Sequence, residues 1–383
     1  MTSSQFAPVE LGFAETPEQE FFDTPFANKI GGKPIWLNPK KILSAEDVRC
    51  GVCEKPMLFL LQLYTPEDEP PCAYHRMIYV YCCKNGVCHN KSWKDSFKVF
   101  RNQLPRQNDY YVEIAGEPQE DDDEEEEPLS EWYKRPDVDA RACVVCGLAG
   151  TKSCGECHQS HYCSKEHQMF HWTVGMHKKL CNATELNEED LEKDQEKIKE
   201  FLFLEYEIVS EPERVEEKEE EEKVKELHDA DNQPNPEARA LVPVGDEIYE
   251  NTEVDVDKAF LKFQKKMSQD PDQVVRYART GYGVETGGPL YVSDIGMIED
   301  KDVPECAKCG QKKTFEMQVL PQLLHFLKID YTNSDSIDWG TLIIYSCPGN
   351  CDVGEDYAEE ALWRQDFSLD GINGKYQKSS QKA

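Results

Sequence analysis

Between Cys143 and Cys181 the chain reads CVVCGLAGTKSCGECHQSHYCSKEHQMFHWTVGMHKKLC, and the spacing of its thiols and imidazoles leaves little freedom for the local fold. It supplies Cys143-x2-Cys146, Cys154-x2-Cys157, Cys163-x3-His167 and His177-x3-Cys181. A C-x2-C pair turns the chain tightly enough for two thiolates to hold one metal, with Zn–S bonds of about 2.3 Å. A C-x3-H or H-x3-C pair stands at i, i+4, so on a helix both ligands share a face. Four such pairs suffice for two tetrahedral sites. No position is left for water, so the sites read as structural rather than catalytic. Thiolate-rich donor sets favour zinc.

Two further sets of cysteines flank this run. Cys50-x2-Cys53 is followed by the apolar run Met57–Tyr64, a Pro- and acid-rich loop over 65–72, the run His75–Tyr81, and then Cys82, Cys83 and Cys88. Cys306-x2-Cys309 is followed by Phe315–Leu320, the Leu-rich piece Pro321–Lys328, the run Asp338–Tyr345, and then Cys347 and Cys351. Short apolar runs bounded by turn residues read as buried strands. The order pair, strand, spacer, strand, pair thus occurs twice, as an internal repeat. Laying IIYSC over YVYCC matches Cys347 with Cys83 rather than Cys82. One zinc then falls to Cys50, Cys53, Cys83 and Cys88, and another to Cys306, Cys309, Cys347 and Cys351, each stapling a hairpin base. His89 is an alternative ligand in the first set. Cys82 is left to pack as a small apolar side chain, and Cys72 as a loop thiol. Neither is accompanied by a catalytic arrangement of nucleophile and base.

The formal charge is −32, and three stretches hold nearly all of it: 117–131, 185–226 and 228–257. The rest of the chain is close to neutral. Phosphate contact needs Lys and Arg, so direct nucleic-acid binding is not expected. Acidic arms suit a basic protein partner, or simply keep the chain soluble. There is no apolar N-terminal h-region and no apolar stretch approaching about 18 residues, so neither secretion nor membrane insertion is expected. The sixteen cysteines then belong in a reducing compartment, as metal ligands before disulfides.

The expected fold class is α+β and β-rich: a zinc-stapled β-domain built from two repeated halves, with an inserted finger and acidic disordered linkers. Residues 1–116 and 256–372 form the halves, since each alone has few strands with which to bury a face. Two separate zinc ribbons are the alternative. Between the halves lie an acidic linker at 117–131, the finger at 132–184, a charged helix at 185–210, and an acidic, mostly disordered linker at 211–255. The helix carries Leu191, Ile198, Phe201, Leu202 and Leu204 as its apolar content. Residues 373–383 form a polar tail. In the second half, Ala259, Phe260, Phe263 and Met267 fall at helical spacing. Pro271 suits a helix start for PDQVVRYAR, and glycines over 281–288 mark a loop before a strand PLYV. Gly31-Gly32 signals a turn before Ile35, Trp36 and Leu37.

The run 143–181 resembles the MYND finger. That family interleaves its pairs, which implies one zinc on Cys143, Cys146, Cys163 and His167 and the other on Cys154, Cys157, His177 and Cys181. The family usually has Cys where His167 stands. His171 competes for the seventh position without the i, i+4 relation to Cys181; His158 and His161 read as surface or packing residues. MYND fingers dock proline-containing peptides on a shallow groove, and the resemblance puts Gln168 and Trp172 there. Over most of its length the chain also resembles the programmed cell death protein 2 family. The matching pieces are VELGFAE, KIGGKPIWL, CGVC, FLLQLY, FRNQLPRQN, the finger, DPDQVVRYAR, FEMQVLPQLLHFLK and DSIDWGTLIIYSC, in the family's order.

That resemblance implies a protein of cytoplasm and nucleus linked to small-ribosomal-subunit production; a non-enzymatic monomer is expected. It further implies a dedicated chaperone for a basic small-subunit ribosomal protein of the universal S-five family; the pair spacings and the internal repeat, separately, call for four Zn2+ per chain. The alternative is a nuclear adaptor that recruits transcriptional co-regulators through the finger. Some MYND proteins are lysine methyltransferases, but this chain lacks a cofactor-binding motif. GYGVETGG has neither the Lys-Ser/Thr end of a phosphate loop nor a dinucleotide-binding spacing.

Overall fold

A computed structural model describes residues 9–17, 21, 26–113, 133–134, 141–183, 187–214, 257–279, 288–330, 332–333 and 335–367. The acidic linker 117–131, most of 211–255 and the tail 373–383 lie outside the described residues. The strands are β1 (Glu10–Glu15), β2 (Lys29–Ile30), β3 (Leu58–Tyr64), β4 (His75–Cys82), β5 (Phe97–Leu104), β6 (Val112–Glu113), β7 (Tyr133–Lys134), β8 (Lys152–Ser153), β9 (His161–Tyr162), β10 (Tyr206–Pro212), β11 (Gln273–Tyr277), β12 (Thr314–Val319), β13 (Thr341–Ser346) and β14 (Ala358–Gln365). Ten of them close an antiparallel barrel in the order β1-β10-β2-β3-β4-β5-β14-β13-β12-β11, with β11 returning to β1. Closure leaves no unpaired edge, which open sheets must otherwise protect.

Apolar runs make the barrel staves. β3 is LFLLQLY and β13 is TLIIYS, and both are buried almost throughout. A strand reads as continuously apolar when both its faces are covered. On β4 the second face is covered by the segment around Trp36 and Leu37. The Leu37 N–H donates to the Tyr79 hydroxyl (2.7 Å), which itself donates to the Ile35 carbonyl (3.1 Å). Side chains alternate along a strand, so Arg76, Ile78 and Val80 share the other face. Arg76 there reaches Glu316 of β12 and Ser346 of β13.

The two hairpins β3–β4 and β12–β13 share a local irregularity. Leu58 opposes Cys82 and the register shifts between Phe59 and Leu61; Thr314 opposes Ser346 and the register shifts between Phe315 and Met317. Such bulges bend a strand and increase its twist. Strands from before and after the finger meet at two seams. On one side β5 pairs β14 over three residues, Val99, Phe100 and Arg101 opposite Glu360, Glu359 and Ala358. On the other, β10 and β1 lie between β2 and β11.

Three expectations from sequence are corrected. Residues 185–210 are not one helix. The helix is Glu188–Phe201, and Tyr206–Pro212 is the barrel strand β10. Its slot exists only once β1 and β2 are in place, so no local pattern announces it. At Gly31 (φ 60°) a Cβ would lie 2.0 Å from the Leu204 carbonyl oxygen, so only glycine lets the turn approach this crossing. PDQVVRYAR does not begin a helix at Pro271. Gln273–Tyr277 is β11, where Val274 and Val275 are buried and β1 and β12 take both edges. PLYV is not a ladder strand. Its backbone is held by glutamine side chains: Leu290 N–H donates to Gln318 Oε1 (2.7 Å), and Val292 N–H to Gln365 Oε1 (2.9 Å). The helix Lys258–Gln269 buries Phe263 and Met267, as their spacing requires.

Candidate metal centres and their setting

Among the described residues four groups of ligands converge: Cys50, Cys53, Cys83 and Cys88; Cys143, Cys146, Cys163 and His167; Cys154, Cys157, His177 and Cys181; and Cys306, Cys309, Cys347 and Cys351. Within each, the ligand atoms lie within 4.8 Å of one another. These are the four sets named from the sequence.

The first half of every group is the same turn. The N–H groups of Glu54, Gly147, His158 and Gly310 donate to the carbonyls of Cys50, Cys143, Cys154 and Cys306 respectively, at 2.8–3.1 Å. Each of those four donors has positive φ, between 58° and 78°. The turn reverses the chain and points both thiols of a C-x2-C pair to one side. The second halves come from different elements. Cys83 follows the end of β4, and Cys88 lies on the helix Gly86–Lys91. Cys163 and His167 flank the start of the helix Lys165–Thr173, whose first turn is capped by Ser164. His177 begins a short helix that Cys181 ends. Cys347 follows β13, and Cys351 closes the loop after it.

The distances fit a tetrahedral ion. Bonds of about 2.3 Å place neighbouring sulfurs about 3.8 Å apart around one Zn2+. Cys53 and Cys83 are 3.8 Å apart, Cys154 and Cys181 3.8 Å, Cys309 and Cys347 3.7 Å, Cys347 and Cys351 3.7 Å, and Cys146 and Cys163 3.5 Å. All are far beyond a disulfide bond of about 2.0 Å, and every cysteine is free. The histidines face in through defined nitrogens. His167 Nδ1 lies 3.7 Å from Cys143 Sγ and 3.2 Å from Cys163 Sγ; His177 Nε2 lies 3.7 Å from Cys157 Sγ. Ser160 Oγ, 3.4 Å from His177 Nδ1, can fix that ring's orientation. The donor sets therefore fit zinc.

The competing ligands are otherwise engaged. His89 is buried with Nε2 2.7 Å from the Cys83 carbonyl oxygen, and Cys82 sits 3.7 Å from the same nitrogen. Cys82 lies outside the group in which Cys50, Cys53, Cys83 and Cys88 converge, and its buried thiol packs against the His89 ring. His171 is held between the Tyr162 hydroxyl (2.9 Å) and the Asp194 carboxylate (3.0 and 3.1 Å). Burial pushes Asp194 up, but the bonds from His171 and the Met176 N–H outweigh it and hold the carboxyl below its usual value. This contact docks the helix Glu188–Phe201 on the finger, and the Phe170 and Phe201 rings pack beside it, tilted at 38° with centroids 4.4 Å apart. The sequence reading missed it. The only signal was Asp194 and Ile198 at i, i+4, too common a spacing to be specific.

The finger is seated on the barrel. Trp36 Nε1 donates to the Gly147 carbonyl (2.9 Å), and the Ala149 N–H donates to the Leu43 carbonyl (2.9 Å). Gln168 and Trp172 lie on the finger's helix, both half-buried. Trp172 packs at 63° on the His177 ring, 5.8 Å between centroids. It also lines a groove of about 400 Å³ with Gly175, Met176, Lys178 and Lys179. Gln168 is not among the lining residues. A second groove, of about 440 Å³, lies at the β1–β10 seam. Phe13, Ala14, Pro271 and Phe326 form its apolar part, and Glu15, Glu211, Asp270 and Asp272 its acidic part.

A closed β-barrel with hairpin bases stapled by thiolate clusters, carrying a cross-braced finger between its strands, defines a metal-binding scaffold of the zinc-finger class. Residues 8–119 match the programmed cell death protein 2 N-terminal domain, residues 257–367 its C-terminal putative domain, and residues 143–181 the MYND finger. The chain belongs to the programmed cell death protein 2 family. Programmed cell death protein 2 of Bos taurus is 38% identical over 375 residues, spanning 96% of this chain and 99% of its own. That of Mus musculus is 35% identical over 375 residues, with the same coverage. A shorter match, 28% identical over 109 residues, joins 27% of this chain to 26% of the probable 20S rRNA accumulation protein 4 of Schizosaccharomyces pombe. No solved structure matches the chain. Among the described residues, no helix is long and apolar enough to cross a membrane.

Proposed function

We propose that this protein is a non-enzymatic zinc scaffold that chaperones a basic small-subunit ribosomal protein, of the universal S-five family, during small-subunit assembly. The observation that carries the reading is charge: −32 over the chain, with a groove at the β1–β10 seam walled by four carboxylates beside Phe13, Ala14, Pro271 and Phe326. A new ribosomal protein carries Lys and Arg destined for RNA, and an acidic surface can hold it without competing for RNA itself. The name of the fission-yeast relative, an rRNA accumulation protein, supports the ribosomal setting. The chain acts as a monomer in cytoplasm and nucleus, and contacts neither nucleic acid nor membrane directly.

Each of the four clusters holds one Zn2+ in this reading, and the ions supply rigid tetrahedral cross-links rather than reactivity. The barrel is built around two repeated halves, 1–116 and 256–372, with β10 supplied from between them. The equivalent bulges at Phe59/Leu61 and Phe315/Met317 and the equivalent turns at Glu54 and Gly310 support that relation. Gln168 and Trp172 mark the finger's site for proline-containing peptides, and the Trp172 groove favours this as a second, separate contact.

The test is capture of the purified basic ribosomal protein by the full chain at low and at physiological salt. Neutralising the groove (Glu15→Gln, Glu211→Gln, Asp270→Asn, Asp272→Asn) should slow association about tenfold at low salt and less at high salt. Capture unchanged at both salts removes the groove from the reading. A pull-down holding chromatin factors and no ribosomal protein replaces the chaperone with a nuclear adaptor.

A further inference from the structure

Among the four clusters, Cys306, Cys309, Cys347 and Cys351 are set apart in two ways. This is the one with an exposed ligand, Cys309. It is also the one whose closing loop is gripped by the opposite half of the barrel. Arg101 of β5, fully buried, aims its guanidinium at the Cys351 carbonyl (3.3 and 3.4 Å). Gln103, two residues on, donates to the Asn350 carbonyl (3.1 Å). Asn350 Nδ2 donates to the Glu69 carbonyl (3.5 Å). From the same half as the loop, Arg279 Nη2 reaches the Cys347 carbonyl (3.2 Å) and Asn350 Oδ1 (2.9 Å), while its Nε pairs with Glu67 across the halves (2.8 Å). Asn350 is itself buried with φ 43°, a conformation the surrounding bonds must hold.

That loop leads directly into the seam. Seven residues after Cys351, Ala358 begins β14, and Ala358, Glu359 and Glu360 are the residues that pair β5. Arg101 bridges the two features, because its Nε also binds the Glu360 carboxylate (2.8 Å). Lys313, near the metal's first hairpin, binds the other Glu360 oxygen (2.9 Å). One buried guanidinium thus touches a metal-ligand carbonyl and the seam's carboxylate at once.

We propose that the metal at Cys306, Cys309, Cys347 and Cys351 is the clasp of the β5–β14 seam, with Arg101 as the positioning residue that couples the site to the seam. Occupancy fixes the 347–351 loop; the fixed loop presents its carbonyls to Arg101 and Gln103; and the three-residue pairing of β5 with β14 closes. Loss of that ion opens this seam while the other three clusters, the β3–β4 hairpin and the finger stay formed. The exposed Cys309 makes this site the first to yield its metal.

The experiment uses the full chain loaded with zinc and makes no use of a client, so it stands or falls separately from the chaperone reading. A chelator is titrated while released zinc and backbone hydrogen exchange are followed together. The expected result is release of the first equivalent with loss of protection at 99–101 and 358–360, and retained protection at 58–64, 75–82 and 163–171. Arg101→Met should weaken that one zinc at least about tenfold, the usual effect of removing a partner outside the ligand shell. Lys193→Gln, on the helix Glu188–Phe201, should not. If Arg101→Met fails to fold, Cys309→Ser decides: it should lose one zinc and protection at the seam alone. First release from another cluster, an unchanged seam after this site empties, or unaltered affinity in a folded Arg101→Met overturns the proposal.

Discussion

Replacing Arg76 by Leu tests how the barrel interior is held. Arg76 and Glu316 are both fully buried, one on β4 and the other on β12, and they pair through the two terminal guanidinium nitrogens, with Nη2 2.7 Å from Glu316 Oε2. The remaining cation, Arg279, stands 3.6 Å away. Removing one partner of a buried pair costs about 3–5 kcal/mol, because the other charge is left uncompensated. Arg279 recovers part of this, so the lower half of that range is expected for Arg76→Leu. With a urea slope of about 2–3 kcal/mol/M, the midpoint should fall by about 1–2 M at pH 7 and fixed zinc. Replacing both residues with leucine should restore most of the loss, since swapping a buried pair for apolar side chains is often neutral or better. The pH dependence has a definite sign. Burial pushes the Glu316 carboxyl up, but Arg76 and Arg279 outweigh it and bring it down to about 2. Its contribution is therefore complete above the unfolded value of about 4.3, and it is lost as pH falls from there towards 2. The gap between wild type and Arg76→Leu should narrow over that window. A single variant within about 1 kcal/mol of wild type, or a double variant worse than the single, refutes the reasoning.

Two further outcomes follow from the clusters. Cys83→Ser should lose one zinc, whereas Cys82→Ser should keep all of them and lose only a little packing, as inductively coupled plasma mass spectrometry of the purified variants would show. Trp172→Ala should abolish binding of a proline-containing peptide while zinc content is retained; loss of zinc instead would assign Trp172 to support of His177.

The parts of this fold that are legible in the sequence are those encoded locally. A C-x2-C turn needs only a few residues and one positive φ, so each first half of a cluster can be read without tertiary knowledge. β3 and β13 are legible because covered strands are apolar on both faces, and β4 and β12 because apolar residues still dominate each run around the buried Arg76 and Glu316. Choosing Cys83 over Cys82 needs only the alignment of YVYCC with IIYSC. What escapes is whatever another part of the chain supplies. β10 is acidic and follows a charged helix, and becomes a strand because β1 and β2 leave a slot for it. Gln273–Tyr277 carries a proline-led, helix-like opening, yet both its edges are claimed by strands distant in sequence. Leu290 and Val292 look like a strand but bond to Gln318 and Gln365 instead of a neighbour. His171 reads as a candidate ligand until Asp194, on a different helix, occupies it.

The most direct measurement is the zinc content of the intact chain by native mass spectrometry. Four ions per chain, falling to three in Cys309→Ser and to three in Cys83→Ser, is the result expected if hairpin bases as well as the finger are stapled. Two ions, unaffected by either substitution, would confine metal to residues 143–181 and contradict the stapled barrel.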